Sequence, residues 1–217
     1  MSVPDRETRA SDASPAGAGT RALLSSSALR RNLPLARAAA GADDDAFAAD
    51  AYGHGAAWVR DTLDLRGAEP LHPATLFGLP GGDPNARPVL TLTGRVLSTK
   101  ALRAGEGVSY GYAHRAAVDT RIALVTGGYA QGVVRMLGGR ASVRVGDRFL
   151  PVIGRIAMDV CVLDAGERDP ERGAPVVYFG DPAVGDPSLA AWVHATGWSA
   201  AELVTTAGLR ALREVRA

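Results

Sequence analysis

The side chains best suited to chemistry are few, and most are phenols. Tyr110 sits in GEGVSYG, Tyr52 in DAYGHG and Tyr129 in GGYAQG. A phenol is a weak acid. It exchanges protons at neutral pH only with help from hydrogen bonds or nearby cations. Arg135 and Arg155 follow Tyr129 and could attract a carboxylate, although exposed arginines are usually just solvated. Lys100 is the single lysine of the 217-residue chain, so it is the one side-chain amine able to condense with an aldehyde. Cys161, the only cysteine, lies in an apolar run and reads as a small core residue. His54, His72, His114 and His194 are scattered without metal-ligand spacing, so no metal site is expected. Asp43, Asp44 and Asp45 are consecutive and read as solvated. No glycine-rich phosphate loop precedes a helix.

These residues need a scaffold, and the patterning outlines one. Residues 1–20 are small and polar and read as a disordered tail. The run 25–40, SSSALRRNLPLARAAA, predicts a helix capped by a serine near Ser27, with Pro34 expected to kink or shorten it. A second helix is expected from about His54 to Leu65. From Val89 to about Phe179 the chain alternates as short strands, with Gly138-Gly139 and Gly146-Asp147 as turns. Two short helices follow, Pro187 to Ala195 and Ser199 to Thr206, with Ser199 as a cap.

The bulk properties set limits. The chain is 47% apolar with a net charge of +1 and has no run of ~18 apolar residues. A near-neutral balance gives no reason to expect nucleic acid or an anionic membrane as partner. The polar N-terminus and lone cysteine make the cytoplasm the expected location.

The order RPVLTLTGRV, SYG, DTRIALV, GGYAQG and LPVIGRIAMDVCVLD resembles the C-terminal domain of the alanine racemase family. The match spans several segments from about residue 86 onward, which makes it specific. The resemblance implies a mainly β domain, a barrel or sandwich, over 86–217. ALRRNLPLARA and DAYGHGAA are similar to the start of that family's (β/α)₈ barrel, and HPATLFGLP at 72–80 to its last strand. A complete barrel typically needs ~250 residues, so 21–80 reads as a small helical remnant of a TIM-type barrel.

The resemblance also implies roles. The family interconverts L- and D-alanine for peptidoglycan, using pyridoxal phosphate as electron sink. Its motif begins with the lysine that holds the cofactor, and here that position is Ala48. Tyr110 matches the residue that acts on L-alanine. Met158 matches the residue whose backbone N–H binds the substrate carboxylate; by composition alone it reads equally as a core methionine. Tyr129, Arg135 and Arg155 match positions at the substrate mouth, and Tyr52 matches a contact to the cofactor phosphate. A methyl group at 48 can neither hold an aldehyde nor carry a proton, which argues against cofactor binding by this chain.

Three functions follow as expectations. The chain is a racemase relative that pairs with a full-length alanine racemase, or forms a homodimer. Alternatively it racemises alanine itself through Lys100, or it is a non-catalytic binding module or decaying fragment.

Overall fold

The computed structural model describes residues 19–217. In chain order, β1 (Arg21–Ser25) runs into α1 (Ser26–Ala38), then the one-turn segment α2 (Ala48–Tyr52), α3 (Ala56–Leu63) and α4 (Pro73–Leu76). The β-rich part comprises β2 (Leu90–Leu102), the small hairpin β3 (Gly107–Val108) and β4 (His114–Arg115), β5 (Thr120–Thr126), β6 (Ser142–Val145), β7 (Arg148–Ile153), β8 (Val160–Gly166) and β9 (Pro175–Phe179). Helices α5 (Leu189–Thr196) and α6 (Ala200–Arg210) lead to β10 (Leu212–Arg216).

The strands pair in the order β10-β1-β2-β5-β8-β7-β6-β9, and β9 pairs back onto β2. Strands β2, β5, β8, β7, β6 and β9 therefore close a six-stranded barrel, with β1 and β10 as a flap beside β2. Strand β2 is long enough to serve both parts. Its first half pairs with β1 and β9, and its second half, from Val96, pairs with β5. Gly94 lies at the changeover, where a Cβ would come 3.0 Å from the Tyr178 ring. A glycine in a strand interior marks this kind of bend and close approach. The Gly146-Asp147 turn closes the β6–β7 hairpin with Val145 opposite Arg148, as its sequence indicates.

One apolar cluster runs through the barrel and the helical segment. It joins Val125, Leu163 and Tyr178 to Leu29, Val59, Leu76 and Phe77, and to Trp192 and Leu203 of the last two helices. Each such side chain contributes roughly 1.5–3 kcal/mol on burial. The apolar faces of α1, α3 and α4 thus pack on the β-rich part. Asn32 of α1 is fully buried; its amide donates to the Leu76 and Arg87 carbonyls at 3.0 and 2.8 Å.

Several expectations change. Pro34 does not interrupt α1, which continues to Ala38. Pro34 and Arg30 both stand on the exposed face, so the carbonyl left without an amide is open to water. HPATLFGLP is not a strand: His72 caps α4, its Nδ1 accepting from the Thr75 amide at 3.3 Å, and Pro73 occupies the first turn. The tail expected at 1–20 lies mostly outside the described residues. Its last residue, Thr20, is buried, and its hydroxyl donates to the Gln131 carbonyl at 2.6 Å. β1 and β10 form a parallel pair that the patterning left unassigned.

Candidate functional site

Three loops meet at one end of the barrel and carry most of the expected site residues. The first is Ser109–Tyr112, between β3 and β4. Ser109, Gly111 and Tyr112 all have positive φ, at 73°, 67° and 49°. Non-glycine residues in such conformations cost of order 1–3 kcal/mol each and persist only where the surroundings fix them. Ser109 is fixed from both sides: its hydroxyl accepts from the Arg155 amide at 2.6 Å and donates to the Arg155 carbonyl at 3.0 Å. The Arg155 guanidinium passes close to Gly111. Tyr110 is thereby held on a rigid loop while its side chain stays 71% exposed.

The second and third loops, 127–137 and 154–159, interlock through their backbones. Tyr129 N–H donates to Ala157 O at 3.0 Å, Ala130 N–H to Met158 O at 2.9 Å and Gly127 N–H to Asp159 O at 3.1 Å. Gly128 packs so tightly under the Met158 carbonyl that no Cβ fits there. Among the described residues the Met158 N–H has no hydrogen-bond acceptor, and its side chain is 54% exposed. It is therefore not a core methionine. The Arg135 guanidinium lies 5.1 Å from the centre of the Tyr129 ring, and Arg210 of α6 donates to the Tyr129 carbonyl at 3.0 Å. Gly138 abuts Arg155, its Cβ position 3.4 Å from the Arg155 Cα. Tyr110, Arg155, Met158, Tyr129 and Arg135 thus share one surface. It presents two phenols, two cations and a free amide, a set suited to a small carboxylate.

Ala48 and Tyr52 belong to a different part of the fold. Ala49, Asp50, Ala51 and Tyr52 are all left-handed, with φ between 49° and 59°. For L-residues this costs roughly 1–2 kcal/mol each, so the turn is held from outside. Asp50 accepts from the Ala56 amide at 2.7 Å and pairs with Arg213 at 2.7 Å. The hydrogen bond from the Ala56 amide, helped to a lesser degree by Arg213, holds its carboxyl below the usual carboxylate range against the opposing effect of desolvation. Gly53 then sits against Gly208 of α6. The other side of α6 backs the 129–132 loop, with the Gly132 Cβ position 2.7 Å from the Ala207 Cα. Helix α6 therefore stands between the Tyr52 turn and the Tyr129 loop.

Ala48 is exposed. Tyr52 is half-buried, its ring 5.8 Å from that of Phe77. Burial first, then the carboxylates of Asp45 and Asp44, raise its phenol above the usual value. His54 is fully buried and stacked on Phe77 at 4.1 Å, with Nδ1 2.9 Å from the Ala51 carbonyl and no partner for Nε2. Burial pushes its pKa down to about 4, so the ring is neutral and serves packing. Cys161 is buried beside Tyr178, 3.3 Å from its hydroxyl, and desolvation pushes the thiol up to about 12; it is inert core. Among the described residues no group of three His, Cys, Asp or Glu could hold a metal. None of their helices is long and apolar enough to cross a membrane.

Ser109 and Arg210 carry much of this geometry, and nothing in their spacing marks them. Ser109 stands inside the SYG motif, but its hold on Arg155 spans 46 residues.

Known proteins resemble this chain in sequence and fold. The family model for the alanine racemase C-terminal domain covers residues 89–215. Alanine racemase of Mycobacterium avium is 39% identical over 137 residues, 62% of this chain and 35% of that protein. The Streptomyces coelicolor enzyme is 39% identical over 143 residues, 66% of this chain and 36% of that protein. Its solved structure superposes with a TM-score of 0.58 at 38% identity, covering 66% of this chain and 36% of that one. Alanine racemase of Bartonella henselae, solved with covalently bound pyridoxal phosphate, gives a TM-score of 0.59 at 27% identity, covering 65% and 40%. The chain spans little more than a third of the length of the curated relatives it matches. Its barrel, its loops and this match together make it a member of the alanine racemase family, matching that family's C-terminal domain.

Proposed function

We propose that this chain does not interconvert the alanine enantiomers alone, and that it acts by pairing with a full-length alanine racemase to which it presents Tyr110. One observation carries this reading: a rigid, exposed Tyr110 loop coexists with an alanine at position 48. In this reading Tyr110 is the proton-exchanging group of a shared site. The free Met158 amide receives the substrate carboxylate, and Tyr129, Arg135 and Arg155 form its mouth. Residues 21–80 are then the packed-down remnant of a cofactor-binding barrel, and 86–217 the maintained domain.

The residues around Ala48 do not fit pyridoxal phosphate. A methyl group offers no amine, and the chain's one side-chain amine, Lys100, lies on the far half of β2 opposite Ile122. Tyr52, the candidate phosphate contact, has Asp44 and Asp45 as its charged neighbours, and these repel a phosphate. In this reading the chain holds no cofactor of its own, and Tyr110 acts only at the partner's site.

The test is co-purification with the full-length racemase of the same host, followed by alanine turnover of the mixture. A mixed dimer with altered turnover supports the reading; no association at micromolar concentrations defeats it. A second reading, pairing with another copy of this chain, draws on the same exposed surface, which carries Tyr110, Tyr112, Met136 and Met158. Sedimentation of the chain alone separates the two.

A further inference from the structure

A groove crosses the outer face of the sheet where β10, β1, β2, β9 and β6 lie side by side. Its larger lobe has a volume of about 810 Å³ and its smaller lobe about 120 Å³; Leu23, Thr93, Pro175 and Arg216 line both. Six arginines reach this groove: Arg21, Arg31, Arg87, Arg95, Arg144 and Arg216. Three are matched by carboxylates, Arg21 by Glu214, Arg87 by Asp181 and Arg144 by Asp186. Arg31, Arg95 and Arg216 form no ion pair among the described residues, and all three are exposed. With three carboxylates against six arginines, the groove is positive.

The remaining polar lining is hydroxylic: Ser25, Ser27, Thr91 and Thr93. The first turn of α1 opens here with no acidic residue in it, so the helix dipole adds to the positive field. Guanidinium groups bind phosphoryl oxygens bidentately and carry no acceptor. No aromatic ring lines either lobe, so a stacked base finds no platform. Leu23, Pro88, Val177 and Val184 give the larger lobe apolar walls.

We propose that this groove binds a small organic diphosphate. The two phosphoryl groups lie between Arg31 and Arg95 with Arg216 in the middle, and the organic part rests on the apolar walls. Two linked phosphoryl groups match the three unpaired cations better than one does. This site is independent of the Tyr110 surface and of the pairing proposed above.

Titration calorimetry of the full chain with inorganic diphosphate, in metal-free buffer at low and at physiological ionic strength, tests the proposal. Saturable binding is expected, weaker at higher salt, with inorganic phosphate binding at least about tenfold more weakly. The double variant R31A/R216A should lose about tenfold or more in affinity for diphosphate, whereas R135A on the Tyr110 surface should lose none. If R31A/R216A fails to fold, R95A alone gives the same reading. Absence of binding at millimolar diphosphate overturns the proposal. So does equal binding by the wild type and the groove variants, or equal binding of phosphate and diphosphate.

Discussion

Gly53 and Gly208 meet backbone to backbone. A Cβ on Gly53 would lie 2.9 Å from the Thr205 carbonyl and 3.0 Å from the Gly208 Cα, and one on Gly208 would overlap the Gly53 carbonyl. This contact seats the left-handed turn on α6 without any intervening side chain. Gly53 also has φ 78°, which a side chain would strain. Gly208→Ala is therefore expected to destabilise the fold by about 2 kcal/mol, read as a lower urea midpoint at unchanged slope.

Asp50 holds the same turn from the other side. Asp50→Ala removes both the acceptor for the Ala56 amide and the partner of Arg213. A loss of about 1 kcal/mol is expected. Asp50→Asn, which still accepts from the amide, should lose less than half of that. Equal losses would show that the ion pair, and not the amide bond, matters more.

His54 makes stability depend on pH with a definite sign. Its folded pKa, about 4, is below the ordinary 6.5, so the unfolded chain binds a proton that the folded chain refuses. The His54 contribution is harmless above 6.5, falls through the window from 6.5 to 4, and levels off below it. The loss should approach about 3 kcal/mol at the acid end, and His54→Phe should flatten the profile. Urea midpoints at stepped pH values measure it.

Restoring the lysine should not restore the enzyme. Ala48 is exposed, and Asp44 and Asp45 charge the surroundings of Tyr52. Ala48→Lys is expected to give neither a visible absorbance band with added pyridoxal phosphate nor measurable D-alanine. A coloured, active A48K protein would contradict this account of the site.

Tyr110 offers the complementary variant. It is exposed and its position rests on Ser109, so Tyr110→Phe should change stability by less than about 0.5 kcal/mol. In a mixed dimer with a full-length racemase it should cut turnover at the shared site at least about a hundredfold, while association is unchanged. Ser109→Ala should disturb both, because it frees the Arg155 backbone.

The sequence made some of this geometry legible and left other parts unreadable, for identifiable reasons. Period-two alternation marked β2, β5 and β8, and Ser199 announced the start of α6, where the structure adds Glu202 to complete a capping box. The family motifs singled out Tyr110 and Met158 but not the loops that carry them. The left-handed run at Ala49–Tyr52 could not be read, because alanine and tyrosine have no preference for that conformation and Arg213 imposes it from the far end of the chain. The β1–β10 pair escaped notice because RALLS and LREVR are short and their pairing is non-local. The basic groove was equally hidden, since Arg31, Arg95 and Arg216 are far apart in sequence.

The β1–β10 pairing also bears on synthesis at the ribosome. Among the described strands β1 emerges first and its parallel neighbour β10 emerges after all the others. The barrel can close between β2 and β9 well before that, because both are already made. β1 must then wait on β2 with one edge bare until β10 arrives. A nascent chain stalled after α6 would expose that edge to pairing with other chains, so β10 acts as the cover that ends this vulnerable interval.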